Sequence, residues 1–221
     1  MMMDRHFDDE LNSMKTDLLK MATLVEEAIY KSIEALKKRD KDLAQKVVEE
    51  DRAIDELELV IEEEAIGMLA TRQPMAVDLR FITTGMKINA ELERIADLAV
   101  NIAQRATELA EGDLPKPLED IPRLSDVARK MVKSSIDSFV KKDEGLAKQV
   151  ILSDPEANKL KKMIQEELID KYLPKDKINA SRSVALLLVA RHLERICDHA
   201  TNIAEDVIYM VNARVVKHRK V

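Results

Sequence analysis

The chain has 221 residues, 46% of them apolar, 35% charged and 3% aromatic, with 36 basic against 42 acidic side chains for a formal charge of -6. That composition supplies ample core material and excludes general nucleic-acid binding, which needs a concentrated basic surface. The single cysteine, Cys197, excludes an internal disulfide framework or a cysteine-rich zinc site and fits a reducing, cytoplasmic compartment.

Four glycines and six prolines interrupt a chain dominated by Ala, Leu, Ile, Val, Glu and Lys, which predicts an all-α fold. Breaks around 39–40, 73–74, 112–122, 143–145 and 174 leave six long helices, 4–38, 40–72, 76–111, 119–142, 144–172 and 176–216. The N-terminus, MMMDRHFDDEL, lacks the basic-then-apolar profile of a signal peptide. The longest apolar run, VALLLVA at 184–190, is too short to span a bilayer.

The first helix carries Glu26 and Glu27, fourteen and thirteen residues before the break at Asp40. In the second, Asp51 and Asp55 form an i, i+4 carboxylate pair flanking an apolar seam of Val47, Ile54, Leu57 and Ile61. Arg72, Pro74, Asp78 and Arg80 mark the next turn, where they are expected to stop one helix and cap the next. In the third helix Leu92, Ile95, Ala99, Ile102, Ala106 and Leu109 step by three and four, a seam suited to coiled-coil-like packing. Glu93 and Asp97 lie off that seam, one turn apart, with Asn101 a turn further on.

Counting from Pro74 sets the height of these acids. Asp51 lies 23 residues before it and Asp97 23 after; Asp55 lies 19 before and Glu93 19 after. In an antiparallel hairpin the four carboxylates therefore stand level, with Glu26 or Glu27 opposite by the same count. Carboxylates at i and i+4 repel by a few tenths of a kcal/mol, so the doubled pair calls for a cation. Arg94, three residues before Asp97, would supply an ordinary ion pair; a metal ion is the other solution.

The stretch 112–122, within EGDLPKPLEDIP, holds three of the six prolines and reads as a linker at the midpoint. It separates 1–111 from a second unit within 119–221, and the two units are copies. Residues 32–66 align without gaps with 135–169 at an offset of 103, sharing thirteen of thirty-five identities. ELERIADLAVNIA at 91–103 then aligns with HLERICDHATNIA at 192–204 at an offset of 101, nine of thirteen identical. Two tandem antiparallel three-helix bundles, related by internal duplication, are the expected architecture.

In the second copy Asp154 lies 20 residues before Pro174 and Glu194 20 after, with Asp198 and Asn202 following. Asn158 stands where the first copy has Asp55, and Lys130 and Lys133 stand where the first helix has acids. The two sites are thus expected to differ in affinity. Arg195 offers the same ion-pair alternative as Arg94. His199 is a candidate nitrogen ligand, although one residue along a helix turns it about 100° from Asp198. Cys197, among Leu193, Ile196 and Ala200, reads as a small core residue, and the basic tail Lys217, His218, Arg219, Lys220 as a solvated terminus.

The candidate metal ligands are thus Asp51, Asp55, Glu93, Asp97, Asp154, Glu194 and Asp198, with Asn101, Asn158 and Asn202 as further oxygen donors. Such hard ligands suit divalent or trivalent Mg, Mn, Ca or Fe, and Zn if a histidine joins. Catalytic constellations are absent: there is no glycine-rich phosphate loop, no H-E-x-x-H, no nucleophile elbow and no core-facing Glu-x-x-His. A regulatory binding module is expected rather than an enzyme. A metal-dependent enzyme built on the carboxylates and a metal-free helical scaffold are the alternatives.

RQPMAVDLR at 72–80, LERIADLAVNIA in the first half and LERICDHATNIAEDVIYMV at 193–211 together resemble the PhoU family of phosphate-uptake regulators, over essentially the whole chain. The resemblance implies a cytoplasmic protein that restrains the high-affinity phosphate ABC transporter and the phosphate-starvation sensor histidine kinase. It would act by contact with the transporter's ATPase subunit and the kinase, meet the membrane only through these partners, and form homodimers. It also implies surface clusters of iron or other metals held by paired Asp/Glu-x-x-x-Asp motifs. These map onto Asp51/Asp55 with Glu93/Asp97 and onto Asp154/Asn158 with Glu194/Asp198, Asn158 departing from the pattern.

Overall fold

The structure, a computed structural model, describes residues 2–174 and 176–214, and the expected rods form in it. They are α1 (Met2–Lys38), α2 (Lys41–Glu50), α3 (Arg52–Arg72), α4 (Ala76–Leu109), α5 (Asp120–Lys141), α6 (Glu144–Glu167) and α7 (Lys177–Asn212). The second predicted rod divides into α2 and α3 at Asp51, where the backbone stays right-handed helical at φ -57°, ψ -36° but the hydrogen-bond pattern is interrupted. The fifth runs from α6 into a π-helical turn, Leu168–Tyr172, closed by a 3.0 Å bond from Leu173 N to Leu168 O. Residues 215 and 216, expected to end the last helix, and the basic tail lie outside the described residues.

Both halves turn from their first helix into their second in the same way. Arg39 and Lys142 sit in the left-handed region at φ 55° and 53°. Asp40 N and Asp143 N then bond back to Ala35 O and Ser138 O, each at 2.9 Å, as in a Schellman turn. The next event is duplicated too: Asp40 Oδ1 accepts from Leu43 N at 2.9 Å and Asp143 Oδ1 from Leu146 N at 3.0 Å, satisfying orphan amides at each helix start.

The signature turn does less capping than its residues suggest. Met75 occupies the N-cap of α4 without a side-chain bond, and Asp78 lies in the first turn with its own N–H on Met75 O. Arg72 instead grips Glu10 of α1 through two bonds of 2.9 and 2.7 Å. Arg80 donates to Met210 O at 3.0 Å, satisfying a carbonyl in the last turn of α7.

Every residue of the expected α4 seam is buried, from Leu92, Ile95, Ala99 and Ile102 at 0% exposure to Ala106 and Leu109 at 2%. Burial also extends to Ala96, Leu98 and Ala103, a wider face than one seam. The reason is that α4 packs on α1, α2 and α3 and also, as extensively as on α1, on α7. Small alanines on α4, and Ala190, Ala200 and Ala204 on α7, allow close packing, so the two bundles share one continuous core. Gly85 serves the same end against α1, since a Cβ there would run into Met14.

The halves meet about a local two-fold. Tyr30 of α1 lies under the Arg129 guanidinium of α5, 4.9 Å from the ring centroid, while the charge of Lys133 acts on Glu26. Since the 103-residue offset maps Glu26 to Arg129 and Tyr30 to Lys133, these are the crossed contacts that a two-fold rotation generates. The α4–α7 contacts, Lys87 Nζ to Asp206 Oδ1 at 3.0 Å and His199 Nδ1 to Glu91 Oε2 at 2.5 Å, run antiparallel.

Candidate metal centre

The hairpin of α3 and α4 is held in register beside the acids by Asn89, a buried α4 residue whose Nδ2 donates to Glu58 O at 2.9 Å. Around that contact the structure gathers the predicted carboxylates. Burial, reinforced by the negative charges of Asp55 and Asp97, pushes the Asp51 carboxyl up to about 6. Glu93 is raised by burial and by the charges of Asp97, Glu58 and Asp55, against a smaller opposing effect of Arg94. The level placement of the four acids thus brings their charges to bear on one another.

The arginine alternative fails for Asp97. Arg94 pairs with Glu91 at 3.7 Å, and Arg52 pairs with Glu56 at 2.9 Å. Among the described residues none of Asp51, Asp55, Glu93 and Asp97 makes an ion pair. The same ion-pair alternative fails in the second copy, for Arg195 makes no ion pair with Asp198 within the described residues, although its charge lowers the pKa of that carboxyl.

A fifth carboxylate, Glu58, belongs to the set. Burial and the charges of Glu62, Asp55 and Asp97 raise it. The signal for it was legible, because Asp51, Asp55 and Glu58 follow one another at spacings of four and three along one helical stripe.

In the second copy the duplicated position of Glu58 is Lys161, whose Nζ lies 3.5 Å from Glu194 Oε1. Asn158 Nδ2 donates to Asp154 Oδ2 at 2.7 Å. Asp154 is raised by burial and by Glu194, with the Asn158 bond opposing, and its Oδ1 is shielded from water without a hydrogen-bond partner among the described residues. Asp198 is raised by burial, Glu194 and Asp154. Pro155, aligned with Arg52, removes the N–H that would bond Ile151 O in the helix ladder.

Three sequence expectations are corrected here. Glu26 faces Lys133 and Arg129 of α5, and Glu27 pairs with Lys31 at 3.2 Å, so neither joins the α3–α4 acids. His199 turns toward α4, not toward Asp198, and is held by Glu91. Asn202 Nδ2 reaches the same Glu91 Oε2 at 3.3 Å, which commits it to the helix interface. Burial opposes ionisation of Glu91, but the bonds from His199 and Asn202 together with the charges of His199 and Arg94 outweigh it and hold its pKa below the usual range. Asn101 is half-buried a turn beyond Asp97. Cys197 is fully buried, as expected of a core residue, and its thiol is pushed far up by burial.

Chemically, five carboxylates without an ion-pair partner among the described residues are hard, anionic oxygen donors, the kind that Mg, Mn, Ca or Fe prefer. They form an open cluster: among the described residues no three His, Cys, Asp or Glu side chains close on one point at metal-ligand distance. Among the same residues no helix is long and apolar enough to cross a membrane.

The PhoU domain model matches the chain twice, over residues 18–106 and 121–207. A phosphate-specific transport system accessory protein PhoU homolog from Aquifex aeolicus is 44% identical over 212 residues, covering 96% of both chains. A homolog of the same description from Pseudomonas putida is 39% identical, over 97% of this chain and 84% of its own. The crystal structure of PhoU from Pseudomonas aeruginosa superposes with a TM-score of 0.90 at 38% identity, covering 94% of this chain and 100% of that one. The phosphate transport system regulatory protein PhoU from Streptococcus pneumoniae gives 0.88 at 26% identity, over 96% and 99%. With a duplicated domain match, whole-length relatives and the same helical architecture, the chain belongs to the PhoU family.

Proposed function

We propose that the protein regulates phosphate uptake by contact rather than by catalysis. In this reading it works in the cytoplasm as a homodimer and restrains the phosphate ABC transporter through its ATPase subunit. It also restrains the sensor histidine kinase that governs phosphate-starvation genes, and reaches the membrane only through these partners. The observation that carries the reading is the 44% identity, over 96% of both chains, with the phosphate-specific transport accessory protein homolog.

The same reading gives the carboxylates a purpose. Asp51, Asp55, Glu58, Glu93 and Asp97 would hold divalent or trivalent cations, iron among them, and Asp154, Glu194 and Asp198 a weaker second set with Asn158 as a neutral donor. A bound cation supplies positive charge that relieves the mutual repulsion of these groups. The exposure of Asp97 and Asp198 supports a surface role for such an ion, within reach of a partner protein.

Deleting the gene and measuring phosphate-starvation transcripts in phosphate-rich medium tests the regulatory reading. Raised transcripts are expected, restored to low levels by the gene supplied in trans. Transcripts unchanged by the deletion would sink it.

A further inference from the structure

We propose that the cleft between α1 and α3 binds a primary alkylammonium group at Glu64 and Asp17, where the second copy of the repeat carries its own lysine. The cleft, about 300 Å³, is lined by Glu10, Ser13, Glu64, Gly67, Met68 and Thr71. Its size is at the small end of ligand pockets, and its polar groups beside the buried Met68 suit a charged head on an apolar stem.

The second copy shows what the first lacks. The 103-residue offset holds along the first helix of each half, since Leu18, Met21, Val25 and Ile29 are buried and so are the aligned Ile121, Leu124, Ala128 and Val132. It maps Asp17 to Asp120 and Glu64 to Glu167. In the second copy these two acids share a cation. Lys116, a linker residue whose side chain is only 9% exposed, holds Nζ against Glu167 Oε2 and 3.5 Å from Asp120 Oδ2. Lys171 adds a further cation 3.6 Å from Glu167 Oε1. At the positions of these two lysines the first copy has Ser13 and Met68, so it keeps both acids and neither cation.

No other side chain makes up the loss. Among the described residues neither Asp17 nor Glu64 makes an ion pair, although Lys20 aligns with the Arg123 that lies 3.7 Å from Asp120. Glu10 is committed to Arg72 through both of its oxygens. Glu64 Oε2 is shielded from water and has no hydrogen-bond partner among the described residues. Burial and the charge of Asp17 raise the Glu64 carboxyl against a smaller effect of the Ser13 hydroxyl, as expected of an acid without a cation.

The cleft is also open. A Cβ on Gly67 would meet nothing within 4 Å, and Ser13, Gly67 and Thr71 are exposed. Glycine in a helix interior costs up to about 1 kcal/mol relative to alanine, and no packing contact requires this one. Thr71 Oγ1 donates to Gly67 O at 2.8 Å, which leaves its lone pairs free to accept. The three N–H donors of an ammonium match the Glu64 carboxylate and the two hydroxyls, a sparse set for a hard metal ion. A free diamine and a lysine side chain of a bound protein both carry such a group.

The test follows the backbone amide signals of the isotope-labelled full chain by NMR. It is titrated with 1,4-diaminobutane and, separately, with Nα-acetyl-lysine methylamide; the Nε-acetylated form of the latter and magnesium chloride are comparators. Saturable shifts at Ser13, Gly67 and Thr71 are expected with at least one amine, weakened at least about 10-fold in the isosteric Glu64→Gln by loss of a charge-assisted bond. Gly67→Met, which fills the cleft without altering its charge, should weaken binding as much. Ser13→Lys, which installs the ammonium of the second copy, should abolish it. Tighter binding of the diamine identifies a free amine as the ligand, and tighter binding of the lysine derivative a protein side chain. No saturable shift at these residues, shifts confined to Asp51, Asp55, Glu93 and Asp97, equal affinity in Glu64→Gln, or an equal response to the acetylated lysine or to magnesium would overturn the proposal.

Discussion

The two hairpins have one backbone plan and different electrostatics. Between α3 and α4 five carboxylates, Asp51, Asp55, Glu58, Glu93 and Asp97, act on one another with no ion-pair partner among the described residues. Between α6 and α7 the aligned positions are Asp154, Asn158, Lys161, Glu194 and Asp198, and the lysine is already paired with Glu194. Two substitutions, Asp to Asn and Glu to Lys, turn an unrelieved anionic cluster into one that partly neutralises itself. Duplication thus sets where the groups stand, and side-chain identity sets how strongly they need a cation.

The contrast breaks most sharply under metal titration. With Mn as the probe, Asp97→Ala should weaken the tighter binding by on the order of 10- to 100-fold. Asp198→Ala should touch only a weaker one. Equal effects of the two variants, by calorimetry, would remove the asymmetry. Helical circular dichroism should survive both changes, because both side chains are exposed.

Converting the second copy into the first is the next largest test. Asn158→Asp/Lys161→Glu should strengthen cation binding in the second half by roughly 10-fold, since ligand charge count tunes such sites. Without metal it should lower the melting temperature by about 2–4 °C, corresponding to about 1 kcal/mol for a chain of this size. A variant that melts higher without metal would contradict the repulsion argument.

The pH dependence of the metal-free protein sharpens the comparison further. Because the folded Asp51 carboxyl is raised to about 6 from 3.8, the native state binds more protons than the unfolded chain between those values. Its stabilising contribution is full below pH 3.8 and is lost as pH rises through 6. Asp51→Asn should therefore melt higher than the parent at pH 8, with the gap closing toward pH 4. Asp154 is raised in the same sense but opposed by Asn158, so Asp154→Asn should show a smaller gap. A gap that widens on acidification would reverse the assignment. Smallest of all, Arg52→Gln should change stability by less than about 1 kcal/mol in chemical denaturation, since it removes only an exposed pair with Glu56.

Much of this molecule follows from its sequence. Helical period, the Asp40 and Asp143 caps, the duplicated turns and the α4 seam are local matters, decided by spacing within a few turns. The level placement of Asp51 with Asp97 and of Asp55 with Glu93 needs only one more step, the antiparallel hairpin about Pro74. Glu58 lay within reach of the same reasoning, one turn further along the stripe.

The partners of Glu26, His199 and Asn202 did not follow, because each depends on how one bundle docks on the other. Periodicity marks α4 as having a buried face, but the shared core with α7 makes that face wider and gives its edges polar neighbours. Glu91 and His192 occupy one position in the repeat, and only the docked helices reveal that the first is held by His199 and Asn202 of the other bundle. Local sequence sets which face of a helix is apolar. Which charges meet across two such faces is settled by the packing of alanine-rich surfaces between distant segments, and that depends on the whole fold.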